Sequence, residues 1–256
     1  MNIISKTRLY VTEALKEGAV VGCSSNQAHY LRSVLRLQAG DPVTLFNGED
    51  GEWLGSIDGV GKGWASVSLE RKLRDQAASP DLWLLFSPLK RSATDLVIQK
   101  ATELGASRIV PVLTQRTNTE RLKQDRAHAT AIEAAEQCER LDVPEVTEIQ
   151  KLTTFLSDWN EERLLYVCAE AGIADAVSKV FAAHQMDRPA AILIGPEGGF
   201  TEKELAFLND RSFITPVSLG PRILRAETAA LAALACWQSI CGDWADRPPH
   251  RQGVTD

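Results

Sequence analysis

Two stretches place chemistry-bearing residues at the ends of short apolar runs. In "AAILIGPEGGFTEKEL" (190–205), an apolar run is followed by Gly195, Pro196, Glu197, Gly198 and Gly199. Glycines there remove side chains, so main-chain N–H and C=O groups can approach a ligand closely. Thr201 and Glu204 have the spacing of a capping box, and Phe200 and Leu205 that of a hydrophobic staple, which predicts that the turn opens directly into a helix. In "VSLGPRILRAETAALAALACW" (217–237) the order repeats: strand, glycine-proline turn, basic loop, helix. Arg222 and Arg225 fall in the loop, with Glu227 and Thr228 at the helix start, where the dipole favours a carboxylate. Ligands of open α/β sheets sit beyond the carboxyl ends of the strands, so two such turns can share one pocket. The alternatives are a first turn whose glycines serve sterics alone, and a structural ion pair between Arg225 and Glu227.

The pocket is not built for phosphate. The Walker pattern needs G-K-[ST] and the dinucleotide fingerprint G-x-G-x-x-G, and neither is present. Glu197 repels a pyrophosphate. A ligand with a positive centre, or with hydroxyls to be hydrogen-bonded, fits better.

The elements that must position these turns fall into two regions. Residues 1–70 are rich in glycine turns and short β-type runs: "DPVTLFNGEDGEWLGSI" reads as a hairpin with strands at 42–46 and from Glu52, and "GWASVSLE" as another strand. This is a small barrel-like module carrying one helix, and "RKLRDQAASP" (71–80) reads as a linker. Trp53 and Trp64 are expected in its core. From Asp81 strands and helices alternate: strand "DLWLLFSPL", a helix ending at Gly105, strand "RIVPVL", a helix through "AHATAIEAAEQCERL", strand 163–169, helix 173–184, strand 190–195, helix 202–209, strand 213–219 and a helix near 226–241. That order predicts a largely parallel sheet covered on both faces.

Bulk properties set limits. The 256 residues, 44% hydrophobic and 24% charged, are ordinary for a globular protein. No apolar stretch approaches the roughly 18 residues of a membrane span, and the start lacks the layout of a secretory signal, so a cytoplasmic location is expected. Five scattered cysteines without a C-x-x-C pair, and four dispersed histidines, predict no metal and no disulfide framework. The net charge of −6 argues against indiscriminate coating of nucleic acid. Between Gly18 and Gly40, however, there are two arginines and no acid. In "HYLRSVLR", Leu31, Val34 and Leu35 make an apolar face opposite His29, Arg32 and Arg36.

Together "HYLRSVLRLQAGD" (29–41), "IQKATELGASRIVPV" (98–112), "EAAEQCERLDVP" (133–144), "IGPEGGFTEKEL" (194–205) and "LGPRILRAETA" (219–229) resemble the RsmE family, methyltransferases acting at uridine N3 in 16S ribosomal RNA. The resemblance implies a PUA-like RNA-binding β-barrel domain over 1–74, a SPOUT-type α/β domain with a C-terminal trefoil knot over 79–245, and a tail from 246 to 256. It implies S-adenosylmethionine as cofactor, a homodimer, and 16S rRNA in an assembled or nearly assembled small ribosomal subunit as partner. Gly195, Pro196, Glu197 and Gly198 should line the cofactor site from one side and Leu219, Gly220, Ile223 and Leu224 from the other, with Ala169–Glu170 as a weaker match. Arg225 is the candidate for stabilising the uracil anion, with Glu227 orienting it or accepting the proton. Arg32 and Arg36, with Arg8, Lys90 and Arg91, are the candidate RNA contacts. A noncatalytic RNA-binding or ribosome-assembly protein of the same fold is the alternative; a nucleotide phosphohydrolase is disfavoured by the missing lysine and metal-ligand spacing.

Overall fold

A computed structural model describes residues 5, 7–169, 174–185 and 188–246, which divide into two compact units. The first comprises residues 5–78 together with 135–143. Its strands are β1 (Arg8–Tyr10), β2 (Val20–Cys23), β3 (Pro42–Phe46), β4 (Glu52–Gly61) and β5 (Trp64–Arg74), in the order β1-β3-β4-β5-β2. β5 alternates buried and open positions as far as Leu69, putting Ala65, Val67 and Leu69 on the inner face. With Leu9, Val21, Val43, Leu45 and Ile57 they form the core of this unit. β5 runs on to Arg74, so the irregular stretch starts later than the linker expected at 71–80. Trp53 is in the core, but Trp64 is 55% exposed and lies outside it, contrary to expectation.

Helix α1 (Ser25–His29) starts with a capping box from Ser24 and Gln27, then widens into a π turn over Tyr30–Val34. The Leu35 N–H donates to the Tyr30 carbonyl five residues back, at 3.0 Å. That extra residue per turn breaks the single helical face expected for 29–36. Leu31 stays buried, whereas Val34 is turned out and Arg36 stands beyond the helix with φ 56°.

Arg8, expected at RNA, is instead part of a buried ion cluster. Its Nε donates to Glu52 Oε1 at 2.5 Å, and Arg74 Nε donates to Glu52 Oε2 at 2.7 Å. Both guanidiniums also donate to carbonyls in the last turn of the helix that ends at Cys138 or just beyond it: Arg8 to Ala135 and Arg140, Arg74 to Glu139. The last carbonyls of any helix lack intrahelical partners, and cations are favoured at that end. Arg8 is therefore structural, and its guanidinium also lies 3.6 Å above the Phe46 ring.

The second unit holds residues 79–134 and 144–246. Its elements are β6 (Leu82–Phe86), α2 (Arg91–Glu103), β7 (Arg108–Leu113), α3 (Gln124–Cys138, whose last residues belong to the first unit), β8 (Glu145–Val146), β9 (Gln150–Lys151), α4 (Leu152–Ser157), β10 (Leu164–Cys168), β11 (Asp175–Ala176), α5 (Val177–Ala182), β12 (Ala190–Ile194), α6 (Glu202–Asn209), β13 (Ile214–Ser218) and α7 (Ala226–Ile240). The strand order is β11-β13-β10-β12-β6-β7-β8, with β9 on β7, and every pairing is parallel.

All five residues of β12 are buried, as a central strand covered on both faces requires. Leu85, Val110, Leu165, Val167 and Leu193 face Leu152 and Leu156 of α4 and Leu208 of α6. On the other face Tyr166 meets Phe181 of α5 and Trp237 of α7, with ring centroids 5.0 and 5.8 Å away. Each large apolar side chain so buried stabilises the unit by about 1.5–3 kcal/mol. α3 stops at Cys138, short of the expected Leu141, because Glu139 takes φ 63°. α5 is shorter than the helix expected at 173–184, of which residue 173 lies outside the described residues. Among the described residues no helix is long and apolar enough to cross a membrane, and no group of three or more potential ligands is placed to hold a metal ion.

Candidate functional site

Because every strand pairing in the second unit is parallel, the segments that follow β7, β10, β12 and β13 emerge at one end of the sheet. There they enclose a cleft of about 500 Å3, within the usual range of about 300–1,000 Å3 for small-ligand sites. The turn after β12 contributes Gly195, Pro196, Glu197 and Gly198; the loop after β13 contributes Leu219, Gly220, Ile223, Leu224 and Arg225. The two turns singled out in the sequence thus share one hollow. Ala169 lines it from the end of β10, while Glu170 lies outside the described residues.

The first turn is held by its own helix. Thr201 Oγ1 accepts from the Glu204 N–H at 3.3 Å, and Glu204 Oε2 accepts from the Thr201 N–H at 2.8 Å. Glu204 is buried, and its other oxygen accepts from the Gln115 N–H at 2.7 Å, fastening the loop after β7 to the turn. One residue on, Arg116 Nη1 donates to the Gly198 carbonyl at 2.7 Å and its side chain forms part of the lining. Arg116 had no signal in the sequence beyond a lone cation in "TQRTNTE". Its partner is 82 residues away, so only the fold reveals it.

The glycines serve different ends. A Cβ on Gly195 would stand 2.8 Å from the Phe200 ring, so that missing side chain makes room for the staple, not for a ligand. Gly198 has only ordinary contact with Arg116, leaving its backbone open to the cleft. Gly220 has φ 104°, which L side chains rarely adopt. Gly220→Ala should therefore shift the loop after β13 and weaken ligand binding in the cleft about tenfold by calorimetry, for a backbone strain of about 1–2 kcal/mol. Unchanged affinity would show that this loop tolerates the shift.

The charges around the cleft are lopsided. Among the described residues Glu197 is the sole carboxylate on the lining, against the guanidiniums of Arg116, Arg222 and Arg225. None of the three makes an ion pair among the described residues, whereas Arg8, Arg74, Arg108, Arg126, Arg140 and Arg163 each have a carboxylate partner. The structural ion pair between Arg225 and Glu227, raised above as the alternative, does not form among the described residues. Glu227 lies in the first turn of α7, off the lining, where it complements the helix dipole. Arg225 is the N-cap of α7 and makes no side-chain capping bond. Burial, followed by nearby Cys236, pushes the Cys168 thiol at the cleft wall up to about 12, so it stays protonated and offers neither base nor nucleophile.

Of the remaining candidates, Lys90 and Arg91 are exposed at the start of α2, at the same end of the sheet as the cleft. Arg32 and Arg36 are exposed on the first unit. Arg8 is withdrawn into its ion cluster.

Residues 77–238 match the family described as RNA methyltransferase domain, and 24–70 match the RNA methyltransferase PUA domain. The ribosomal RNA small subunit methyltransferase E of Rickettsia conorii is 34% identical over 89% of this chain and 93% of its own. That of Synechocystis is 35% identical over 85% and 72%. Among solved structures, the ribosomal RNA small subunit methyltransferase E of Neisseria gonorrhoeae bound to S-adenosyl methionine aligns with a TM-score of 0.83 at 28% identity, covering 93% of this chain and 99% of that one. A Legionella pneumophila methyltransferase in complex with the same cofactor gives 0.81 at 30% identity, over 92% and 98%. Two units in this order, and likeness running nearly end to end with chains of one kind, leave a single assignment: the chain belongs to the RsmE family of SPOUT-type 16S rRNA methyltransferases.

Proposed function

We propose that this chain methylates N3 of a uridine in 16S ribosomal RNA within the small ribosomal subunit, using S-adenosylmethionine held in the cleft. The observation that carries the reading is the convergence of the two turns on one hollow with a guanidinium on its wall, that of Arg225, which makes no ion pair among the described residues. The residues present fit the cofactor: glycine-rich main chain for its ribose and amino acid groups, Leu219, Ile223 and Leu224 for its adenine, and Glu197 near a cationic centre. When bound, that cofactor supplies an electrophilic methyl on a sulfonium, displaced in line.

This chain's residues must then place the uracil nitrogen and make it nucleophilic. Uracil N3–H loses its proton well above neutral pH. Arg225 stabilises the anion through the flanking carbonyl oxygens, and the N-terminus of α7 adds its partial positive charge at the same place. Lys90 and Arg91 support RNA contact by position: cations at a helix N-terminus oppose the dipole, so phosphate relieves them. Arg32 and Arg36 are assigned to phosphates on the first unit.

A homodimer belongs to this reading, supported by Ile223, which borders the cleft yet is 83% exposed. So does the trefoil knot, supported by a strand order that carries β13 beyond β10 while α7 returns to pack on β12. Five free cysteines accord with a reducing cytoplasm.

The test is labelled-methyl transfer to small subunits lacking the modification, followed by nucleoside analysis. The expected product is 3-methyluridine; label on cytosine or a ribose oxygen overturns the assignment. Absence of heat with either the cofactor or its demethylated product would favour the noncatalytic alternative. Arg116→Ala should weaken cofactor binding about fivefold, because the freed Gly198 carbonyl loses a charge-assisted bond worth about 1 kcal/mol at an exposed position. Calorimetry showing no change would mean that this bond does not shape the cofactor site.

A further inference from the structure

Trp64 stands at the start of β5, across the hairpin from Gly61. A Cβ on Gly61 would lie 2.1 Å from the indole Nε1, and one on Gly59 would lie 2.9 Å from Cη2. The ring is therefore laid along the sheet, its pyrrole end over one glycine and its benzene end over the other. With 55% of the residue exposed, the opposite side of the ring is open to water. The surface beside it is low: Ser66 and its register partner Gly22 share the face, and a Cβ on Gly22 would meet nothing within 4 Å. Lys62, at the hairpin tip, is exposed and makes no ion pair among the described residues. The Asp58 carboxylate, 3.2 Å from the Ser66 hydroxyl, can accept from amino groups on a base edge and repels phosphate.

From this geometry we infer that Trp64 is a stacking platform for one unpaired RNA base, with Lys62 taking the adjoining phosphate. A rigid, half-exposed aromatic ring is the means by which proteins hold single-stranded RNA without reading its sequence. Gly59 and Gly61 let the ring rest against the sheet before RNA arrives, which lowers the rotamer freedom lost on binding. The inference rests on RNA being the substrate, and 3-methyluridine formation by the wild-type protein tests that premise separately.

The experiment is fluorescence polarisation of the full chain with a labelled single-stranded 12-mer and with an abasic oligomer of equal length and charge. Wild type should prefer the base-bearing oligomer. Trp64→Ala should bind that oligomer about tenfold more weakly, leave the abasic oligomer unchanged, and keep the wild-type melting temperature, since the ring is outside the core. Trp64→Phe should restore most of the preference. The inference is overturned if Trp64→Ala binds like wild type, if both oligomers lose equally, if wild type shows no preference, or if the substitution alters only self-association in sedimentation, which would make a second copy of the chain the occupant.

Discussion

Replacing Arg225 with alanine should lower kcat for methyl transfer about 100- to 1,000-fold, the range for removing one donor aimed at developing negative charge, while cofactor affinity changes by less than about threefold. In the proposed reading the two effects separate: cofactor contacts come from main chain and apolar side chains along both turns, whereas among the described residues the guanidinium of Arg225 has no carboxylate to neutralise it. Nor does the substitution remove a helix cap, because Arg225 makes no side-chain capping bond, so α7 should remain intact. Arg225→Lys should recover only part of the rate, since an ammonium cannot bridge two acceptors as a planar guanidinium does. Single-turnover assays with saturating cofactor give the rate, and calorimetry gives the affinity. Wild-type turnover in Arg225→Ala would remove this residue from the mechanism.

Glu52→Ala should destabilise the first unit by about 3–5 kcal/mol, the usual cost of stripping one partner from a buried ion pair. It leaves Arg8 and Arg74 facing each other with nothing between them. Burial works against the charged form of Glu52, but hydrogen bonds from Arg74 and Arg8 outweigh it and hold the carboxyl below the ordinary 4.5. Burial likewise lowers Arg8, against the raising effect of Glu52. The sign follows: a depressed carboxyl contributes stability above its unfolded value, lost as the pH falls through its folded value. Wild type should therefore weaken below about pH 4.5, and Glu52→Gln, already destabilised, should show a flatter acid limb. Urea unfolding of the full chain between pH 3 and 6 reads both. Equal stability of Glu52→Ala and wild type at pH 7 would mean that the cluster is dispensable.

What could be read in the sequence was local. The Thr201–Glu204 capping box spans three residues, and the buried run "AAILI" declares itself without reference to the rest of the chain, so the first turn and its helix emerge where expected. The second turn followed the same pattern, and its meeting with the first followed from strand ends in a parallel sheet. What could not be read depended on partners distant along the chain. Arg8 looks like any surface cation until Glu52 and the carbonyls of α3 enclose it. Arg116 gains its place only through Gly198. Trp64 sits on a strand where alternation suggests either face, and the glycines that let it lie outward matter only once the hairpin pairs. The π turn at Tyr30–Val34 has no compositional marker, so the apolar spacing of "HYLRSVLR" implied a regular helix and misplaced Val34.

The clasp formed by Arg8, Glu52 and Arg74 also imposes an order on biosynthesis. The carbonyls it grips, on Ala135, Glu139 and Arg140, leave the ribosome some sixty residues after the hairpin that contributes Arg74. A nascent chain that has exposed only the N-terminal strands therefore carries two guanidiniums with N–H donors still lacking those carbonyl acceptors. The first unit therefore cannot finish folding when its own strands have been made, and its maturation awaits a peptide embedded in the sequence of the other.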